Sequence, residues 1–145
     1  MVGSIDNAPT ALDYAGVDKP SNMDGLSLRP IVRDPSDRVR DAMLLIHNWT
    51  NDDDDLSRAL SVVTDQYKYI FWPYGDSHVT PTEELFDLQA DPFETNNVAS
   101  SVAAGTLNQL RSYYDGFLQD WIDNVPAGVT DYERMGEIYD RLVPH

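Results

Sequence analysis

Cysteine is absent from the 145-residue chain, which excludes a disulfide framework, a thiolate metal site and a cysteine nucleophile, and leaves the redox compartment open. Basic residues are scarce: ten Lys and Arg stand against 25 Asp and Glu, for a formal charge of -15 and a pI of about 4.2. A surface of that sign repels phosphate backbones and anionic bilayers, so neither nucleic acid nor membrane is an expected partner. The same acidity suits a high-salt habitat or the holding of cations, and composition does not choose between them. No apolar run approaches the roughly 20 residues that a membrane span needs, and Met1-Val-Gly-Ser-Ile-Asp6 has neither the basic start nor the apolar core of a signal sequence. Glycine-rich phosphate loops and a Gly-x-Ser-x-Gly elbow are missing too.

What is present is enough for one domain with a core, with 41% hydrophobic and 10% aromatic residues. Asp6 to Gly16 reads as a short helix: Asp6 or Asn7 suits the cap, Pro9 the first turn and Gly16 the exit. Ala8, Ala11, Leu12 and Ala15 share one face, and residues that small imply close approach to another surface. Pro30, Asp34-Pro35 and the charges around them mark a connector. The uninterrupted run Ala42 to His47 predicts a strand buried on both faces, ended by the polar loop from Asn48 to Asp55. Asn48-Trp49-Thr50 is formally a glycosylation sequon, with meaning only in a secreted protein.

Leu60–Thr64 and Tyr67–Trp72 are β-rich runs joined at Asp65-Gln66, the pattern of a hairpin. Alternation puts Tyr67, Tyr69 and Phe71 on one face and Lys68, Ile70 and Trp72 on the other. Glu84 to Leu88 is a fourth strand, stopped by Asp91-Pro92, after which Glu94-Thr95-Asn96-Asn97 can bond freed backbone groups. From Leu107 to Val125 apolar residues recur every three or four positions and draw one stripe along a helix, which Pro126 and Gly128 end. A weaker second helix is expected over Tyr132–Val143. The fold class predicted is α+β: a four-stranded antiparallel sheet, at about 42–48, 60–64, 67–72 and 84–88, covered by a long C-terminal helix and preceded by a short helical segment.

Candidate chemistry is sparse. The run Asp52-Asp53-Asp54-Asp55 follows an apolar strand, a placement some hydrolases use for a hard cation, but it reads first as a solvated loop. His47, Asn48 and Trp49 are side chains suited to a polar ligand at a strand end, although a histidine there usually satisfies hydrogen bonds at the sheet margin. His78 and His145 lack convergent partners in sequence. Tyr67, Tyr69, Phe71, Trp72 and Tyr74 could stack a sugar, yet alternating strand aromatics are more often core.

Three phrases carry a resemblance. Glu84-Leu-Phe-Asp-Leu-Gln-Ala-Asp-Pro-Phe-Glu-Thr-Asn-Asn-Val-Ala99 is similar to the type I sulfatase phrase E-L-Y-D-L-x-x-D-P-x-E-x-x-N-L-A. The ordered set Ile5-Asp6, Pro9-Thr10, Leu12, Ala15-Gly16, Pro20, Gly25, Ser27-Leu28 and Pro30 resembles I-D-x-x-P-T-x-L-x-x-A-G-x-x-x-P-x-x-x-x-G-x-S-L-x-P of the same family. The hairpin resembles R-x-V-R-T-x-x-Y-K-Y-I, with Val63 where the family has its second arginine. The resemblance is to the C-terminal portion of a sulfatase, and it implies that residues 1–40 are the end of the large α/β domain with its connector and 41–145 the C-terminal subdomain.

Sulfatases, as that resemblance implies, use a formylglycine made within C/S-x-P-x-R, together with calcium. This chain has no Cys and no Ser followed by x-Pro, so no catalytic residue carries over. The expectation is that both groups belong to a catalytic domain upstream of Met1, with no cofactor in this chain. The partner then implied is a separately encoded catalytic domain, with His47, Asn48 and Trp49 bordering its substrate pocket. Behind that reading stand a stand-alone binding or scaffold module and, last, an independent metal-dependent hydrolase using residues 52–55.

Overall fold

The computed structural model describes residues 1–48, 58–73, 80–125, 128 and 135–142. The chain forms two compact units, Met1–Met43 and Leu44–His145. In the first, a 3-10 turn (Ser4–Asp6) runs into α1 (Asn7–Ala15), and a later turn of helix, α2, spans Arg29–Arg33. α1 leaves through Gly16 at φ 71, the left-handed conformation that glycine adopts without a Cβ penalty. α2 lies inside the segment expected to be only a connector; Pro30 in its first turn fits a helix start.

The family phrase from Ile5 to Pro30 turns out to be the framework of this unit. Asp6 stands at the cap position of α1 but makes no side-chain cap bond. Its carboxylate, fully buried, accepts instead from the Gly3 amide (2.8 Å), the Leu26 amide (2.9 Å) and both Nη atoms of Arg40. Burial alone would push that carboxyl up; Arg40 and the two amides outweigh it and hold it below the usual carboxylate range. The Thr10 hydroxyl donates to the Asp6 carbonyl and accepts from the Leu28 amide, while Ser27 donates to Asp13, which also pairs with Arg29. A Cβ on Gly25 would lie 2.0 Å from the Ile5 carbonyl oxygen and 3.0 Å from Pro9 Cγ, so that position accepts only glycine.

The second unit is the predicted α+β arrangement. Strands β1 (Met43–Asn48), β2 (Arg58–Val63), β3 (Tyr67–Trp72) and β4 (Thr82–Asp87) form one sheet in the order β1-β2-β3-β4. β2, β3 and β4 are antiparallel in register, with Leu60 opposite Phe71, Val62 opposite Tyr69 and Tyr69 opposite Leu85. That row is the core face. Tyr114 of α3 (Ala104–Asn124) meets it edge-on, 5.5 Å from the Tyr69 ring and 6.0 Å from Phe71. Leu110, Tyr114 and Leu118, one helical turn apart, are the residues of α3 that disappear into this contact.

Polar groups fasten the layers. The Tyr69 hydroxyl donates to Glu83 (2.5 Å) and Arg111 of α3 forks onto the same carboxylate. Burial raises the Glu83 carboxyl, but Arg111 and Tyr69 more than reverse this. α4 (Met135–Tyr139) docks on α3 through the Tyr114 hydroxyl, which donates to the Tyr139 carbonyl at 2.7 Å. The second helix predicted over Tyr132–Val143 is thus described only as this shorter piece. β1 departs from expectation more sharply. It is an edge strand, with Leu45 41% and Ile46 47% exposed, because its continuous apolar run is backed by neighbours on one side only.

Candidate functional site

On the sheet face opposite α3, alternation brings up Ala59 and Ser61 from β2, Lys68, Ile70 and Trp72 from β3, and Glu84 and Phe86 from β4. The small side chains of β2 make a floor between taller walls. The result is a trough of about 340 Å³, with Leu45, Ile46 and His47 of β1 on one side and Lys68, Ile70 and Trp72 on the other. Ala59, Ile70 and Phe86 are buried and form a second apolar cluster with Trp72 and Leu88 packed against it.

The walls are fixed by hydrogen bonds from the family phrase Glu84 to Ala99. Trp72 Nε1 donates to Glu84 Oε2 at 2.7 Å, which sets the indole plane. Lys68 Nζ is paired with Glu94 at 2.6 Å, so the cation of the trough is already balanced. Glu94 reaches it from a backbone at φ 55, a left-handed conformation uncommon for a residue with a side chain. The turn around it enforces that conformation: the Asp91 carboxylate accepts the Thr95 and Asn96 amides at 2.7 and 2.8 Å, and the Glu94 amide donates to the Asp91 carbonyl. Asn97 completes the phrase by accepting the Leu85 and Ala99 amides and donating to the Glu83 carbonyl, which closes the free edge of β4.

Of the residues predicted for a site, His47 is an exposed member of the trough. Asn48 ends β1. Trp49, the run Asp52–Asp55, Tyr74, His78 and His145 lie outside the described residues. The aromatics of β3 divide: Tyr69 and Phe71 are core, as weighed, whereas Trp72 is half-buried and lines the trough. Ser61 and Lys68 were not singled out from sequence. The signal that could have found them is the pair of small residues on β2, flanked by large ones on the strands either side. Among the described residues, no group of three or more His, Asp or Glu is placed to hold a metal ion.

Comparison with known proteins places these features. A family model described as N-sulphoglucosamine sulphohydrolase, C-terminal, matches residues 1–113. Arylsulfatase K of Xenopus laevis is 36% identical over 107 residues, which is 70% of this chain and 19% of that protein. The N-acetylglucosamine-6-O-sulfatase of Bacteroides thetaiotaomicron is 32% identical over 99 residues, 66% of this chain and 17% of its own length. The chain therefore spans under a fifth of the length of each of these two relatives. A solved structure of a protein with its substrate D-glucosamine-2-N,6-O-disulfate superposes with a TM-score of 0.67 at 29% identity, covering 83% of this chain and 24% of that one. A solved 2-O glycosaminoglycan sulfatase gives a TM-score of 0.57 at 25% identity, with 81% and 24% covered.

Proposed function

This chain belongs to the N-sulphoglucosamine sulphohydrolase C-terminal family, and from that membership we propose that it braces a sulfatase catalytic domain and lends the β1–β3 trough as one wall of the substrate pocket. The observation that carries the reading is the meeting of His47 and Trp72 across a trough on the sheet face that α3 leaves open. An indole held in one orientation is a platform for a sugar ring, and an imidazole at the rim can meet its hydroxyls. Asn48 and Trp49, next in the chain, are proposed to serve the same saccharide, Trp49 lying outside the described residues.

The substrate class proposed is a sulfated amino sugar. Two similar proteins are named for, or solved with, glucosamine sulfates. Lys68 is spent on Glu94 and the chain is strongly acidic, so the trough suits the uncharged body of the saccharide. The sulfate is left to cations of the catalytic domain.

Formylglycine and calcium do not fit the residues present here. There is no Cys, no Ser stands in Ser-x-Pro, and the described carboxylates do not converge on a metal site. No bond-breaking step is assigned to this chain, and both groups are proposed to reside in the catalytic domain, encoded separately or in the same reading frame. Family membership disfavours the independent metal hydrolase built on Asp52–Asp55.

The test begins with the adjoining upstream DNA, where a reading frame containing C-x-P-S-R is expected. With that catalytic portion co-produced, His47→Ala and Trp72→Ala should raise KM for N-acetylglucosamine 6-sulfate and leave hydrolysis of a small aryl sulfate unchanged. A catalytic portion that is fully active and stable without this chain would overturn the bracing role. Unchanged saccharide kinetics in both variants would overturn the pocket role.

A further inference from the structure

We infer that this chain is built to hold its fold in concentrated salt, and that diluting the salt loosens it. The composition is lopsided within each charge class: 20 of the 25 acids are Asp, and only two of the ten bases, Lys19 and Lys68, are Lys. The structure shows where the bases go. Arg29, Arg38, Arg40, Lys68, Arg111 and Arg141 are each committed to one carboxylate. Lys19 is turned onto the Met23 and Gly25 carbonyls. Among the described residues at least these seven cations are thus engaged in local bonds, while Asp18, Asp24, Asp37, Asp120 and Asp123 stand exposed.

α3 is arranged against its own dipole. A helix C-terminus favours cations, but the last turn of α3 contains no base and carries Asp123, with Asp120 just before it. Such a placement is unfavourable in dilute buffer and nearly neutral once screened.

Salt acts in two opposing directions on this molecule. It weakens ion pairs, but among the described residues only Arg38–Asp41 has both partners more than half exposed, and the other pairs are partly shielded from screening. It also relieves the mutual repulsion of a chain at -15, which destabilises any compact state. At about 0.1 M the screening length is roughly 10 Å, long enough for neighbouring surface carboxylates to repel, and near 1 M it is about 3 Å. The second effect wins, because Asp18, Asp24, Asp37, Asp120 and Asp123 are open to the screening solvent while most of the described ion pairs are partly buried.

Urea unfolding in potassium chloride tests this. Between about 0.1 and about 2 M salt, the folded-to-unfolded ratio of the wild-type chain is expected to rise at least ~10-fold. The variant Asp18→Lys/Asp24→Lys/Asp37→Lys, each reversal adding two charge units to the formal -15, should show a clearly smaller gain. That comparison separates screening from general salting-out, which acts on both proteins alike. A ratio that is flat or falls with salt, or an equal gain in the variant, would overturn the inference. So would saturation by millimolar calcium with no further gain from potassium chloride.

Discussion

Replacing Arg40 with methionine should dissolve the first unit and leave the second standing. Arg40 is 12% exposed and Asp6 not at all, and the guanidinium supplies two of the four hydrogen bonds that the Asp6 carboxylate receives. Methionine keeps most of the aliphatic bulk and removes the charge. The carboxylate is then buried against two amides alone, and stranding one member of a buried pair costs about 3–5 kcal/mol. A unit of the size of Met1–Met43 commands only about 2–6 kcal/mol at ordinary stability per residue. The loss therefore matches or exceeds the whole. Native-state hydrogen exchange reads the result directly: amides of α1 and of Leu26 should lose protection, while those of β2, β3 and α3 keep it. Arg38→Met is the control, since its pair with Asp41 is 54% and 76% exposed and is worth at most about 1 kcal/mol. Wild-type protection of α1 in the Arg40 variant would refute the claim that the Asp6 network holds this unit.

Gly25→Ala should destabilise the same unit by at least about 1–3 kcal/mol, read by the same exchange, because its Cβ meets the Ile5 carbonyl at 2.0 Å. Acid should act there too. The folded Asp6 value lies below the unfolded 3.8, so the folded form binds fewer protons in that interval; stability is complete above 3.8 and drains away as pH falls towards the folded value, which circular dichroism of α1 between about pH 5 and 2 would follow. Tyr114→Phe should cost about 1–2 kcal/mol in urea by orphaning the Tyr139 carbonyl. Tyr114→Ala should cost about 3–5 kcal/mol by emptying the space beside Tyr69 and Phe71. The purified chain, incubated with a chromogenic aryl sulfate and calcium, should show no turnover above an inactivated control, and mass spectrometry should find no formylglycine; turnover that survives repurification would refute this.

Residue order alone carries the family and the longer elements, though not α2, whose segment reads as a connector. Two-residue alternation in Tyr67–Trp72 and the three- and four-residue stripe ending near Trp121 are local periodicities, and local periodicity alone sets which face of a strand or helix is apolar. Gly16 ended α1 because a residue without a Cβ takes φ 71 at no steric cost. The phrases from Ile5 to Pro30 and Glu84 to Ala99 were legible as family marks but not as devices. What they do depends on partners distant in the chain, such as Asp13 for Ser27, 14 residues away, and Arg40 for Asp6, 34 residues away. The exposure of β1 escaped sequence reading for the same reason, since an apolar run does not say whether it has a neighbour on one side or two. His47 was legible as a candidate from its place at a strand end and Trp72 as one of the strand aromatics able to stack a sugar, whereas their companions Ser61 and Lys68 were not. A trough exists only once three strands lie side by side, when the short side chains of β2 fall between the tall ones of β1 and β3, and that register was decided by the tertiary structure.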